Sequence, residues 1–112
     1  MRLAIVGSRS ILDKELIYHY ASKYNPDAVL CGGARGPDLL GSYWAKDNLI
    51  PVEYFIPKWE EVGKSAGILR NKQMSDSATH ILAFWDGKSK GTKHMIEYSR
   101  MNNKAVEVIL VE

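Results

Sequence analysis

The chain has one cysteine, Cys31, and only two phenylalanines and four prolines in its 112 residues. A lone thiol cannot close an intramolecular disulfide, and it cannot supply the paired ligands of a structural zinc or an iron–sulfur site. That usage fits a reducing compartment. An excess of charge of one sign is also missing. Fifteen basic and 13 acidic side chains leave a formal net charge of +2, too little to hold nucleic acid or an anionic membrane by charge alone. No apolar run approaches the roughly 18 residues of a membrane span. The opening MRLAIVGSRS is broken by Gly7 and Ser8 before it could form the apolar region of a signal peptide. A cytoplasmic protein is expected, without a membrane partner and with nucleic acid disfavoured.

What is present is the balance of an ordinary globular chain, 46% hydrophobic and 25% charged, at a length that suits a single domain over residues 1–112. Five short apolar runs bounded by turn-forming residues read as strands: 2–6, 28–31, 52–56, 80–85 and 105–111. Most are nearly continuous rather than alternating, the habit of parallel strands covered on both faces. Glu53 and Glu107 interrupt two of them, which points to the sheet edges. Between the runs lie segments of helical period. Residues 11–24 carry Leu12, Leu16, Tyr20 and Tyr24, with Ser10 as cap and Asn25-Pro26 as stop. Residues 37–48 follow Gly36-Pro37, a good helix entry, and place Leu40, Tyr43 and Trp44 on one side. Residues 65–77 start at Ser65 and turn Leu69 and Met74 inward. Residues 92–102 start at Thr92 and align Met95, Tyr98, Ser99 and Asn102. The alternation predicts a Rossmann-like, three-layer α/β/α sandwich around a mainly parallel five-stranded sheet.

In such a sheet ligands bind beyond the carboxyl ends of the strands, where the winding reverses. The first strand runs into Gly7-Ser8-Arg9 and the second into Gly32-Gly33-Ala34-Arg35-Gly36. The third runs into Pro57-Lys58-Trp59 and the fourth into Asp86-Gly87-Lys88-Ser89-Lys90-Gly91-Thr92. Glycine lets backbone N–H groups approach a ligand, and a helix that starts just after it offers unpaired donors to an anion. A phosphate-bearing ligand is the natural guest. Any single Gly-rich turn is explained equally well by its own backbone; several such loops with Arg9, Arg35, Lys88 and Lys90 on one rim are not. Familiar fingerprints are absent: the first strand is not followed by GxGxxG, no acid ends the second strand, and Gly87-Lys88-Ser89 lacks the earlier glycine of a P-loop.

The combination of IVGSR, GGARGPD, GKSAGILRNKQM and WDGKSKGT, in that order over nearly the whole chain, resembles the SLOG superfamily, and within it the small stand-alone proteins of the YpsA-related branch. Relatives there include the Lonely Guy phosphoribohydrolases, the DNA-processing protein A family and domains thought to sense NAD-derived nucleotides. The resemblance implies the fold and a nucleotide-class ligand. Arg70 with Met74 resembles the Arg-x-x-x-Met of the phosphoribohydrolases, whose arginine faces substrate, and Gly91-Thr92 looks like their phosphate-binding Gly-Thr. Their catalytic glutamate, three residues after the threonine, is here Met95. Glu97 lies two residues further on, rotated about 200° around the helix.

The site expected from these readings comprises Gly7, Ser8 and Arg9; Gly32, Gly33, Arg35, Gly36 and Asp38; Trp59; Arg70 and Asn71; and Asp86, Lys90, Gly91 and Thr92. Asp38 and Asp86 are the remaining carboxylates on the rim, candidates for a catalytic base if burial raised their pKa and equally a helix-entry cap and an Asx turn. Trp59, or Trp85, offers a stacking face for a base. His19, His80 and His94 have no ligand spacing between them, and neither a metal nor a resident cofactor is expected. The expected function is binding or sensing of a nucleotide or nucleotide derivative, with a nucleoside phosphate or an NAD/ADP-ribose derivative as candidate ligands. The alternative is a hydrolase or transferase acting on a nucleotide's glycosidic or phosphate bond, so whether any reaction is catalysed stays open. The many helix-borne aromatics suggest a homo-oligomer.

Overall fold

β1 (Arg2–Gly7) forms the centre of a five-stranded, all-parallel sheet with strand order β3-β2-β1-β4-β5. The computed structural model describes residues 1–59 and 63–112. The other elements of the described residues are α1 (Lys14–Ala21), β2 (Ala28–Cys31), α2 (Pro37–Asp47), β3 (Val52–Tyr54), a short 3-10 turn at Gly63–Ser65, α3 (Ala66–Ser77), β4 (His80–Trp85), α4 (Lys90–Met101) and β5 (Ala105–Leu110). The fold is thus Rossmann-like α/β, as the alternation predicts, and wholly parallel. Glu53 and Glu107 lie on the two edge strands, where Glu53 meets the Arg2 guanidinium at 2.6 Å and Glu107 accepts the Tyr24 hydroxyl at 2.6 Å.

Alternation along β1 feeds two cores. Leu3 and Ile5 join Ile17, Val29, Trp44, Leu82 and Phe84 on the face covered by α1 and α2. Ala4 and Val6 join Leu30, Met74, Ile81, Ala83, Met95 and Ile96 beneath α3 and α4. Each such large side chain, once fully buried, contributes about 1.5–3 kcal/mol. Alanines at positions 4, 28, 78 and 83 leave room on the second face, which the flexible Met74 and Met95 fill. On the first face α2 rests directly on β1: a Cβ on Gly41 would stand 2.6 Å from Ile5 Cγ2. That close approach carries the start of α2 to the carboxyl end of β1.

Several helix ends differ from the sequence reading. α1 is capped by Asp13, whose Oδ1 accepts the Leu16 amide at 3.1 Å, and not by Ser10. The Ile11 amide turns back to the Ser8 carbonyl, which holds residues 8–11 as a loop and leaves Leu12 60% exposed. α1 also stops at Ala21, with Ser22 as its C-cap, before Asn25-Pro26. α4 begins at Lys90 with Ser89 as N-cap, two residues before Thr92. β3 ends at Tyr54 rather than residue 56. Met74 is fully buried, whereas Leu69 is 41% exposed and Tyr43 44% exposed. Among the described residues no helix is long and apolar enough to cross a membrane.

Candidate functional site

The chain leaves the sheet centre through β2 to β3, then returns to the other side of β1 as β4. The helices that follow β1 and β4 therefore cover opposite faces, and a crevice opens between these two strand ends. Gly7 pairs with Phe84 in register, and the Ser8 amide extends the ladder to the Phe84 carbonyl at 2.9 Å. Beyond that point lies a cleft of about 600 Å3, within the usual size of small-molecule sites.

Its floor on the β4 side is a hydrogen-bonded loop. Asp86 Oδ1 accepts the amides of Lys88 and Ser89, both at 2.8 Å, while its own amide donates to Ser8 Oγ at 3.1 Å. These N–H donors hold the Asp86 carboxyl below the usual carboxylate range, so it remains an anion near neutrality and is poorly suited to carry a proton. Ser89 Oγ then accepts the Thr92 amide at 3.3 Å, capping α4. The Gly91 amide, in the same first turn, has no carbonyl behind it within the helix. A Cβ built on Gly91 would meet nothing within 4 Å.

The opposite wall is a buried charge pair. Asp38, 3% exposed, accepts the Gly32 amide at 3.2 Å and lies 3.8 Å from Arg70 Nη1. Burial pushes its pKa up to about 6, against the pull of Arg70 and the N–H groups of Ala34, Gly32 and Gly7. Arg70 donates from Nη1 to the carbonyls of Gly32 (3.1 Å) and Phe55 (3.4 Å) and from Nε to Asn71 Oδ1 (3.1 Å). Burial lowers its pKa, Asp38 opposes that, and the positive charge of Arg9, which lines the same cleft, adds to it. Asn71 Nδ2 donates to the Gly91 carbonyl at 3.1 Å and so ties α3 to the first turn of α4. His94 Nδ1 lies 3.5 Å from the same amide; burial, and then Lys72, depress the His94 pKa. Among the described residues no three His, Cys, Asp or Glu side chains come together to hold a metal ion.

No family model matches the chain, and no solved structure matches it. It is similar to the Gene 61 protein of Mycobacterium phage D29, 36% identical over 106 residues, with 83% of each chain covered. The chain belongs to the Gene 61 protein family.

In this Gene 61 family member the cleft wall includes Gly7, Ser8, Arg9, Arg35, Asp38 and Trp59, and also Arg70, Asn71, Asp86, Gly91 and Thr92. Four expected residues lie outside it. Gly32 is buried behind the pair, where a Cβ would stand 1.6 Å from Arg70 Nη1. Gly36, at φ 91°, packs on the carbonyls of Ser8, Arg9 and Ile11. Gly33 faces Ile56, and Lys90 lies exposed on α4 away from the wall. Trp85 is also turned away, donating from Nε1 to the Ser89 carbonyl at 3.0 Å. The sequence reading missed Val6, Ser10, Ala34, Gly67, Ile68, Ser89 and Met95 as wall residues. Gly67 and Ile68 stand one helical turn before Asn71, and Met95 one turn after Thr92, so helical period from the recognised motif residues would have found them. Cys31, at the end of β2, is fully buried, and burial together with Asp38 pushes its thiol up to about 12.

Proposed function

We propose that this cleft binds a nucleotide or nucleotide-derived ligand through a phosphate group, as a binding or sensing site. The observation that carries the reading is the open space in front of Gly91. In most of the chain a glycine is explained by what its missing side chain avoids. At Gly91 the protein supplies nothing to avoid, yet the residue sits in the capped first turn of α4, in the same cleft as Arg70 and Arg9. First-turn amides and the helix dipole favour an anion there, and guanidinium groups suit phosphate oxygens. Trp59, 52% exposed on the cleft wall, offers a face for a planar base.

A SLOG-type assignment agrees with this arrangement, because the Arg70 and Gly91-Thr92 motif positions meet in one cleft. Met95, where the phosphoribohydrolases of that superfamily carry glutamate, also lines it and is 1% exposed. An apolar side chain there supports binding over glycosidic cleavage. One observation favours the second reading, a hydrolase or transferase acting on a nucleotide: Asp38, with a pKa near 6 in the wall, is poised close to the range useful for general acid–base chemistry. The exposed Ile56, Trp59, Ile68 and Leu69 beside the cleft suit self-association, which belongs to the same proposal.

The test is a thermal-shift screen against nucleoside mono-, di- and triphosphates, NAD and ADP-ribose, with chromatography of each mixture afterwards. A ligand that binds the folded state raises its melting temperature by mass action. A shift with ligand returned intact supports the binding reading. New product peaks, lost in Asp38→Asn, support the enzyme. No shift with any compound removes the proposal.

A further inference from the structure

Asp38 is held from every side by groups that compensate a negative charge. β1 contributes the Gly7 amide and the loop after β2 the amides of Gly32 and Ala34. α3 contributes Arg70, 3.8 Å away. The titratable neighbours are the Cys31 thiol at the end of β2 and Arg9, which acts on Arg70 from the loop after β1. Arg70 both meets Asp38 directly and fronts the cleft with a full positive charge, and Arg9 and Arg35 line the same cleft. Arg70 Nη1 and Nε are engaged by protein acceptors, while Nη2 has no protein acceptor among the described residues.

We propose that an anion bound against Arg70 drives Asp38 to take up one proton from solvent, so that the affinity of the cleft for anionic ligands rises as the pH falls. The inference rests on the reading of the cleft as a phosphate-group site. Two anions then compete for one guanidinium in a poorly solvated wall, where water screens their repulsion weakly. Protonation of the Asp38 carboxylate relieves that repulsion and leaves Arg70 wholly to the ligand. By linkage the effect is reciprocal: the factor by which the anion tightens the proton is the factor by which the proton tightens the anion.

The experiment follows the Asp38 carboxyl carbon by 13C NMR, assigned through its loss in Asp38→Asn. The full chain is titrated in sodium chloride and in sodium sulfate of matched ionic strength. Sulfate keeps the same charge throughout, so a moved midpoint belongs to the protein. The expected result is an Asp38 midpoint raised by at least about one pH unit in sulfate, a tenfold coupling, together with sulfate-dependent shifts of the Gly91 and Thr92 amides. Amide shifts with an unmoved midpoint overturn the coupling and leave the phosphate reading standing. Amides that ignore sulfate at every concentration overturn both. Asp38→Asn gives a second readout: sulfate affinity in the variant is flat with pH, whereas in the parent it falls by up to about tenfold per pH unit above the free midpoint. Parent and variant curves of the same shape overturn the proposal.

Discussion

Two glycines of the same rim predict opposite behaviour. Gly32→Ala places a methyl group where Arg70 Nη1 stands. We expect the guanidinium to be displaced, ligand-induced thermal shifts to vanish, and the far-ultraviolet circular dichroism spectrum of the sheet and helices to persist. Gly91→Ala meets no protein atom and replaces glycine inside a helix, so its stability in urea should rise by up to about 1 kcal/mol while ligand affinity falls at least tenfold. A Gly91→Ala protein that binds as well as the parent would remove the phosphate from the first turn of α4. Arg70, Asp38 and Gly91-Thr92 were legible as site candidates because they sit at strand ends or in recognisable motifs. The division of labour among the glycines was not: Gly32 and Gly36 shape the backbone that surrounds the cleft, and a sequence does not say on which side of a turn the empty Cβ position lies.

At the scale of the elements, the cap of α4 rests on the Ser89 hydroxyl. Ser89→Ala leaves the Thr92 amide without its acceptor and should lower stability by about 1 kcal/mol, read as a lower urea midpoint with an unchanged slope. The five strands and four helices of the described residues followed from apolar runs and helical period, and β2 and β4 have the predicted limits. The departures fall at element ends, among them the entries of α1 and α4, the end of α1 and the end of β3. Ser10 and Asp13 are both capable N-caps, and the choice was made by the Ile11–Ser8 turn, a contact set by how the loop leaves β1. Thr92 is likewise a capable cap, but the Asx turn on Asp86 presents Ser89 first. Leu69, which helical period turned inward, is 41% exposed and lines a shallow groove with Ile56, Pro57 and Lys58, the segment that follows β3.

For the molecule as a whole, Asp38 gives stability a pH dependence. Its carboxyl ionises less readily in the fold, at about 6, than in an unfolded chain, so the folded state is penalised once the group is charged. That penalty is absent below about pH 4, grows as the pH rises, and is complete above the folded midpoint, at roughly 3 kcal/mol. Asp38→Asn should therefore gain on the parent protein as the pH rises from about 4 to about 6, measured by urea denaturation at each pH; parallel curves would show that the buried pair is already balanced. The burial that perturbs Asp38 also seals its neighbour. With its thiol buried and raised to about 12, Cys31 should resist alkylating reagents in the native protein and react once the chain opens. The molecule thus carries an intrinsic clock for its own unfolding: the rate of iodoacetamide labelling reports opening, and any compound that settles in the adjoining cleft slows that rate, so ligands can be sought without knowing their chemistry in advance.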